Sequence, residues 1–189
     1  MNIILHCCCG PCASACVERL AGEGVRPVLF YANGNLNSAE EWERRLEALR
    51  TVGRVFGVEV EVEPYARAEW EREVVDWVAS GSALAMTSEN EAVWALAEGG
   101  ARCAACFRYN FGKAAAFAKR TGVVRWTTTL SVSPHKNFGL LVAAGREVAE
   151  RSGTEFVEYN FALGGGFKRS VELAREYGLY RQRYCGCRM

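Results

Sequence analysis

Seven of the nine cysteines in this 189-residue chain fall in three tight groups: Cys8, Cys9 and Cys12 in HCCCGPC, Cys103 and Cys106 in RCAAC, and Cys185 and Cys187 in YCGC. Thiolates separated by so few residues can reach one metal or cluster with little loop strain. A single CxxC also serves zinc knuckles and redox dithiols, so alone it specifies little. The three groups together specify more, because seven thiolates exceed the four that complete a zinc site or one iron–sulfur cluster. The remaining three point to a second metal centre or to redox chemistry. Two other uses compete: one structural zinc with spare buried cysteines, or a resolving dithiol at Cys185 and Cys187, whose bridge would be strained and easily reduced. Cys7 and Cys16 read as non-ligands, Cys16 as a small core residue on the helix that follows Cys12.

Other polar residues sit where a ligand would be expected. His6 ends a short apolar run beside the cysteines and can donate to sulfur or to a backbone carbonyl; His135, in SPHKN, is a strand-end contact or a solvated loop residue. Neither has a carboxylate partner that spacing reveals, so no catalytic triad is argued. Asn33 and Asn35 follow the second apolar run, and Thr127, Thr128 and Thr129 are ordinary strand residues or contacts. Gly164 to Gly166 lead into Lys168 and Arg169, a place where backbone can approach a phosphate. Tyr159 and Tyr184 can stack a base or give a proton, with core packing the alternative. The net charge is +1, yet from Lys168 onward Lys168, Arg169, Arg175, Arg181, Arg183 and Arg188 face only Glu172 and Glu176, a patch suited to phosphates or simply a solvated face.

The elements that must position these groups alternate. Asn2–His6 is a buried-strand candidate running into the Cys-Gly-Pro turn and a helix over ASACVERLAGEG. Val25–Tyr31 is a second strand, with Pro27 placing its start at an edge or outside the ladder. Ser38 caps a long helix over AEEWERRLEALRTVGRVFG. Val58, Val60 and Val62 alternate with glutamates as a third strand. Residues 67–106 read as a helical insertion or cap, with a soft stretch SGSALAMTSEN, that delivers Cys103 and Cys106 ahead of a helix beginning near Phe107. Val123–Leu130 is a strand, Phe138–Ser152 a helix, Glu155–Phe161 a strand, and the glycines lead to a last helix. This alternation predicts an α/β fold, a parallel sheet covered on both faces, in a single domain spanning 1–189. Such sheets bind ligands at the carboxyl ends of their strands, where the first cysteine loop and the SVSPHKN loop both fall. Half of the residues are hydrophobic, enough for a core without disulfides. The absence of a signal-peptide pattern or a long apolar run predicts a cytoplasmic protein with no membrane association, where clustered thiols are ligands or catalysts.

Taken together, HCCCGPC, EEWERRLE, RCAACFRYNF, TTTLSVSPHKN and GGGFKRSVELAREYGLYRQRYCGC resemble the QueH family of epoxyqueuosine reductases along nearly the whole chain. The matching positions are His6, Cys8, Cys9, Pro11 and Cys12, then Arg102, Cys103 and Cys106, then Thr128, Thr129, Leu130, Ser133 and Pro134, and last Lys168 to Cys187. The resemblance implies a Rossmann-like fold similar to the adenine-nucleotide α-hydrolase group. It also implies reduction of epoxyqueuosine to queuosine at the tRNA wobble position, with a [4Fe–4S] cluster beside a single metal ion. On that basis Cys8, Cys103, Cys106 and Cys185 are expected on the cluster and Cys9, Cys12 and Cys187 on a lone iron with the catalytic role, position 12 accepting Asp in the family. His6, Asn33, Thr128, Ser133, His135, Tyr159, Lys168, Arg169, Arg181 and Arg183 are expected to meet the tRNA, and the electrons to come from an external donor. The chain departs from the family pattern in its third consecutive cysteine, in a longer stretch near 80–90 and in Asn160, where an acidic residue is common. A zinc-stabilised RNA-binding module and a nucleotide α-hydrolase-like thiolation or adenylation enzyme are the rivals; the first loop lacks the glycine, serine and Asp that pyrophosphate binding would need.

Overall fold

Asn2–His6 forms β1, and its alternation sends Ile3 and Leu5 into one apolar core and Ile4 into another. A strand covered on both faces belongs to a parallel sheet flanked by helices. In this computed structural model, which describes residues 2–81 and 90–187, β2 (Arg26–Tyr31) and β3 (Val60–Val62) lie on one side of β1. β4 (Arg125–Thr128) and β5 (Glu155–Phe156) lie on the other. The order is β3-β2-β1-β4-β5 with every pairing parallel, the parallel α/β sheet that the alternation predicts and of the Rossmann-like kind that the resemblance implies. Strand order reverses direction at β1, so the crevice for a ligand opens beyond the ends of β1 and β4.

Helices α1 (Gly10–Gly22), α2 (Ala39–Phe56) and α7 (Gly166–Glu176) cover the face that Ile3 and Leu5 present, through Val17, Leu20, Leu46, Leu49 and Ala174. Helices α5 (Ala101–Thr121) and α6 (Phe138–Ser152) cover the other, through Phe111, Ala114, Ala118, Leu141 and Ala144. A third cluster, built on Trp70, Val74 and Val78 of α3 (Arg67–Gly81) and Val93 of α4 (Asn90–Ala95), packs on α5 and takes in Cys106 and Cys187. Ser38 caps α2 as expected, its Oγ accepting from Glu41 N at 3.1 Å. At Gly10 a Cβ would lie 2.6 Å from the Ala48 carbonyl, so glycine lets α1 begin hard against α2 and fixes where the first cysteine loop ends.

Several boundaries shift for local reasons. The β2–β3 pairing starts at Leu29, which leaves Pro27 in a stretch with a neighbour on one side only, as its missing N–H requires. The third strand is shorter than Val58–Val62. The fourth stops at Thr128, where the Thr128 Oγ accepts from Leu130 N and turns the chain into a 3-10 helix over Thr129–Val132. The fifth ends at Phe156 before a tight turn closed by Tyr159 N on Val157 O. The helix expected near Phe107 begins at Ala101 instead, because the alanine-rich run after Gly100 propagates it backward. Cys103 and Cys106 therefore stand on α5 itself, one turn apart, rather than in a connecting segment. Most of the soft stretch SGSALAMTSEN lies outside the described residues. Among the described residues no helix is long and apolar enough to cross a membrane.

Candidate metal centre and substrate cavity

The loop that leaves β1 carries the first thiol group. Cys9 is the N-cap of α1, extended at φ −170°, and Cys12 lies in the first turn after Pro11. The sulfurs of Cys8, Cys9 and Cys12 all lie within 4.8 Å of one another, with Cys8 Sγ 3.7 Å from Cys9 Sγ. Thr129 closes the loop from β4: Cys8 N donates to its hydroxyl at 3.2 Å, and that hydroxyl sits 3.5 Å from Cys8 Sγ. Hydrogen bonds from Cys12 and Cys8 hold the Cys9 thiol well below the ordinary thiol range, while donating to Cys8 and Cys9 pushes Cys12 up. A cation among the three sulfurs would draw all three into the thiolate form. Three soft donors at this spacing fit a single transition-metal ion.

The second thiol group is assembled from α5 and the C-terminal segment. Each of its four sulfurs receives an N–H donor. Gly99 N lies 3.2 Å from Cys103 Sγ, Asn110 Nδ2 3.5 Å from Cys106 Sγ, Lys136 Nζ 3.3 Å from Cys185 Sγ and Arg102 Nη1 3.7 Å from Cys187 Sγ. Cys187 itself hydrogen-bonds Cys185, which together with Lys136 pulls the Cys185 thiol down to about 5, and the same contact drives Cys187 up. Burial and the nearby Cys185 raise Cys106 to about 12. Donors aimed at sulfur, two of them cationic, suit metal-bound thiolates, and four cysteines are the number that one iron–sulfur cluster takes. All nine cysteines are free. Cys7 donates to Leu5 O at 3.1 Å and Cys16 packs in the core of the α1 face, so neither reaches either group.

Both groups open on one cavity of about 720 Å³ that Cys8, Cys9, Cys12, Cys106 and Cys185 line; Cys103 and Cys187 lie buried behind it. The cavity occupies the crevice beyond β1 and β4. His6, Asn33, Ser133, His135, Arg181 and Arg183 also line it, so the structure gathers six of the expected substrate contacts. His6 is fully enclosed: Thr128 Oγ lies 3.0 Å from its Nδ1, Nε2 faces Ala32 O at 3.3 Å, and burial lowers its pKa to about 4, leaving a neutral ring. Thr128 thus acts on the cavity through His6. Asn33 is tied to Cys7 O at 2.8 Å. Tyr184 is 47% exposed and Phe167 40% exposed, and both stand on the cavity wall.

Three expected contacts lie elsewhere. Tyr159 donates to Glu23 Oε2 at 2.8 Å and stacks on Phe161 at 4.9 Å. Arg169 is held by Glu18 at 2.7 Å and by Glu172 at 3.2 Å, beside a separate cleft along α1. Lys168 is exposed and lines neither. Conversely, Lys136, Asn110, Arg45 and Gln182 were not singled out from sequence, yet all four line the cavity. Of these only Asn110 had a legible signal, its position one helical turn after Cys106.

The comparisons with known proteins converge on one family. A family model described as epoxyqueuosine reductase QueH matches residues 3–189. The epoxyqueuosine reductase QueH of Thermotoga maritima is 29% identical, covering 98% of this chain and 88% of its own length. Its namesakes from Streptococcus pyogenes serotype M1 and Haemophilus influenzae are 30% and 27% identical, again over 98% of this chain and over 69% and 70% of theirs. With a sheet-edge cavity into which two thiol groups converge, and a match along almost its full length, the chain belongs to the QueH family.

Proposed function

We propose that this protein is an epoxyqueuosine reductase. It removes the epoxide oxygen of epoxyqueuosine at the wobble position of a tRNA anticodon, in the cytoplasm and with electrons from an external donor. The observation that carries the reading is the second thiol group, in which all four sulfurs accept an N–H donor as thiolates bound to iron would. This supports a division different from the one expected of the resemblance: Cys103, Cys106, Cys185 and Cys187 hold the [4Fe–4S] cluster, and Cys8, Cys9 and Cys12 hold the single iron. Cys8 moves because its sulfur lies within reach of Cys9 and Cys12, and Cys187 because it hydrogen-bonds Cys185.

Opening the epoxide to an alkene breaks two C–O bonds and consumes two electrons and two protons, the oxygen leaving as water. When bound, the metals supply electrons one at a time and a Lewis acid for the departing oxygen. The chain's own groups do the rest. Arg181 and Arg183, both exposed at the cavity, meet anticodon phosphates. Phe167 and Tyr184 offer ring faces to the bases on either side of the modified nucleoside. Asn33, fixed through its amide nitrogen to Cys7 O, keeps its carbonyl oxygen for the nucleoside. Ser133 Oγ, which accepts from His135 N at 3.3 Å, holds a proton at the cavity wall.

The test is anaerobic purification followed by iron and labile-sulfide analysis and a single-turnover assay on an anticodon stem-loop carrying epoxyqueuosine. A brown protein with about five irons and four sulfides per chain that forms queuosine is expected. A colourless protein with one zinc and no turnover would sink the proposal.

A further inference from the structure

Among the described residues two arginines are buried, and only one has a carboxylate. Arg45, 3% exposed, pairs with Glu41 at 2.7 Å. Arg102, 2% exposed, has a single partner among the described residues, the Cys187 sulfur; its Nε and Nη2 are buried without any acceptor. A guanidinium remains charged at every accessible pH, and a buried charge without a counter-ion is strongly disfavoured. The charge that offsets Arg102 must therefore come from the thiol group it faces. Lys136, the other cation there, is different: Glu98 lies 2.7 Å away and offsets most of its charge.

We infer that Arg102 is a positioning residue that sets the reduction potential of the iron–sulfur centre, as the one fixed and otherwise uncompensated positive charge against its thiolates. The inference rests on the cofactor reading above and deepens it. A cluster gains negative charge on reduction, so a nearby cation in a low-dielectric setting stabilises the reduced form and raises the potential. Arg102 stands on α5 immediately before Cys103, and its side chain spans to Cys187 on the C-terminal segment. It thereby joins the two stretches of chain that supply the four sulfurs. Arg181 and Arg183 line the same cavity without a carboxylate, but both are more open to solvent, which screens their charge where that of Arg102 is buried.

The experiment compares the full-length, anaerobically reconstituted wild type with Arg102→Met, Arg102→Gln and Arg102→Lys, each matched for iron and sulfide content. Potentiometric titration followed by the electron paramagnetic resonance of the reduced cluster reads the potential directly. Arg102→Met and Arg102→Gln are expected to titrate at more negative potential than wild type, and Arg102→Lys close to it. Equal potentials for all four proteins would overturn the inference. If the neutral variants take up no cluster, the lysine variant decides: full loading with a near-wild-type potential supports the charge, whereas failure of lysine as well would mean that the shape of arginine matters and not its charge, and would overturn the inference too. A wild type that takes up no iron and sulfide would be seen before any variant is compared, and would remove the cofactor reading itself.

Discussion

Arg45 Nε lies 2.7 Å from Glu41 Oε1 inside the protein, and this pair on α2 clamps the C-terminal cysteines. Arg45 Nη1 donates to Cys185 O at 3.2 Å and Nη2 to Tyr184 O at 3.4 Å, while Tyr180 OH donates to Glu41 Oε2 at 2.8 Å. Removing one partner of a buried pair costs about 3–5 kcal/mol where the other stays buried. Opening of the segment after Tyr180 would release that cost as local unfolding. Arg45→Met is expected to expose the YCGC segment to protease and to reduce bound iron from about five to about one per chain, with the sheet intact by circular dichroism. Unchanged iron content would mean that the clamp does not hold the cysteines.

Between those cysteines Gly186 sits at φ +94°, and a Cβ there would lie 2.5 Å from Leu36 Cδ2 and 2.8 Å from Arg45 Nη2. A left-handed backbone held by a residue with a Cβ costs about 1–3 kcal/mol. Gly186→Ala should therefore turn Cys185 and Cys187 away from a shared position. Reconstituted Gly186→Ala is expected to lose most of its visible cluster absorption, to which about four thiolates contribute; full absorption would show that the αL geometry is dispensable.

Much of this was readable in the chain. Alternation of Ile3, Ile4 and Leu5 called for a strand covered on two faces, and zero-to-three spacing placed Cys8, Cys9 and Cys12 together. Where the C-terminal segment brings Cys185 and Cys187 against α5 was not legible, because spacing says nothing about which distant loop such a segment docks on. That is decided by the buried Arg45–Glu41 pair, which carries no pattern of its own beyond i, i+4. Arg169 shows a related limit: a basic run carries no sign that one of its side chains pairs with Glu18 on a distant helix. Lys136 escaped notice because a loop lysine acquires meaning only when Cys185 arrives beside it.

The two thiol groups should separate on mutation. Cys12→Ala removes one of three sulfurs that lie within 4.8 Å of one another, and leaves the other four untouched. It is expected to retain the cluster's visible band, to lose about one iron per chain and to abolish queuosine formation. Cys187→Ala removes a sulfur hydrogen-bonded to Cys185 and is expected to lose the band. Iron analysis with absorption spectra on both proteins checks this; an intact band in Cys187→Ala would return that cysteine to the single iron.

Arg108 on α5 packs over the Trp77 ring at 4.2 Å and donates to Glu147 of α6 at 2.6 Å, joining three helices on the far side of the sheet. That hydrogen bond holds the Glu147 carboxyl below its ordinary value of 4.5. A depressed carboxylate contributes stability above the unfolded-state value and loses it as pH falls through the folded one. Because the pair is partly exposed, its worth is about 1 kcal/mol or less. Glu147→Gln should be less stable than wild type by that amount at pH 7 in urea unfolding, with the gap closing as pH falls below 4.5 and through the lower folded-state value. A gap that persists at low pH would assign the loss to packing on Trp77.

The entrance to the cavity gives the last expectation. Arg181 and Arg183 are exposed at its wall, whereas Arg169 is tied to Glu18 and Glu172 beside another cleft. A single-stranded phosphate neutralised by one arginine contributes about 0.7 to the slope of log affinity against log salt. The double variant Arg181→Ala, Arg183→Ala should therefore lower the slope for an anticodon stem-loop by about 1.4, with the iron content unchanged. Arg169→Ala should leave the slope where it is, since its charge is already met by two carboxylates. Fluorescence anisotropy across a salt series measures both; if the two proteins lost equal slope, the anticodon would run along α7 as well as over the cavity, and the phosphate track would have to be redrawn through Lys168 and Arg169.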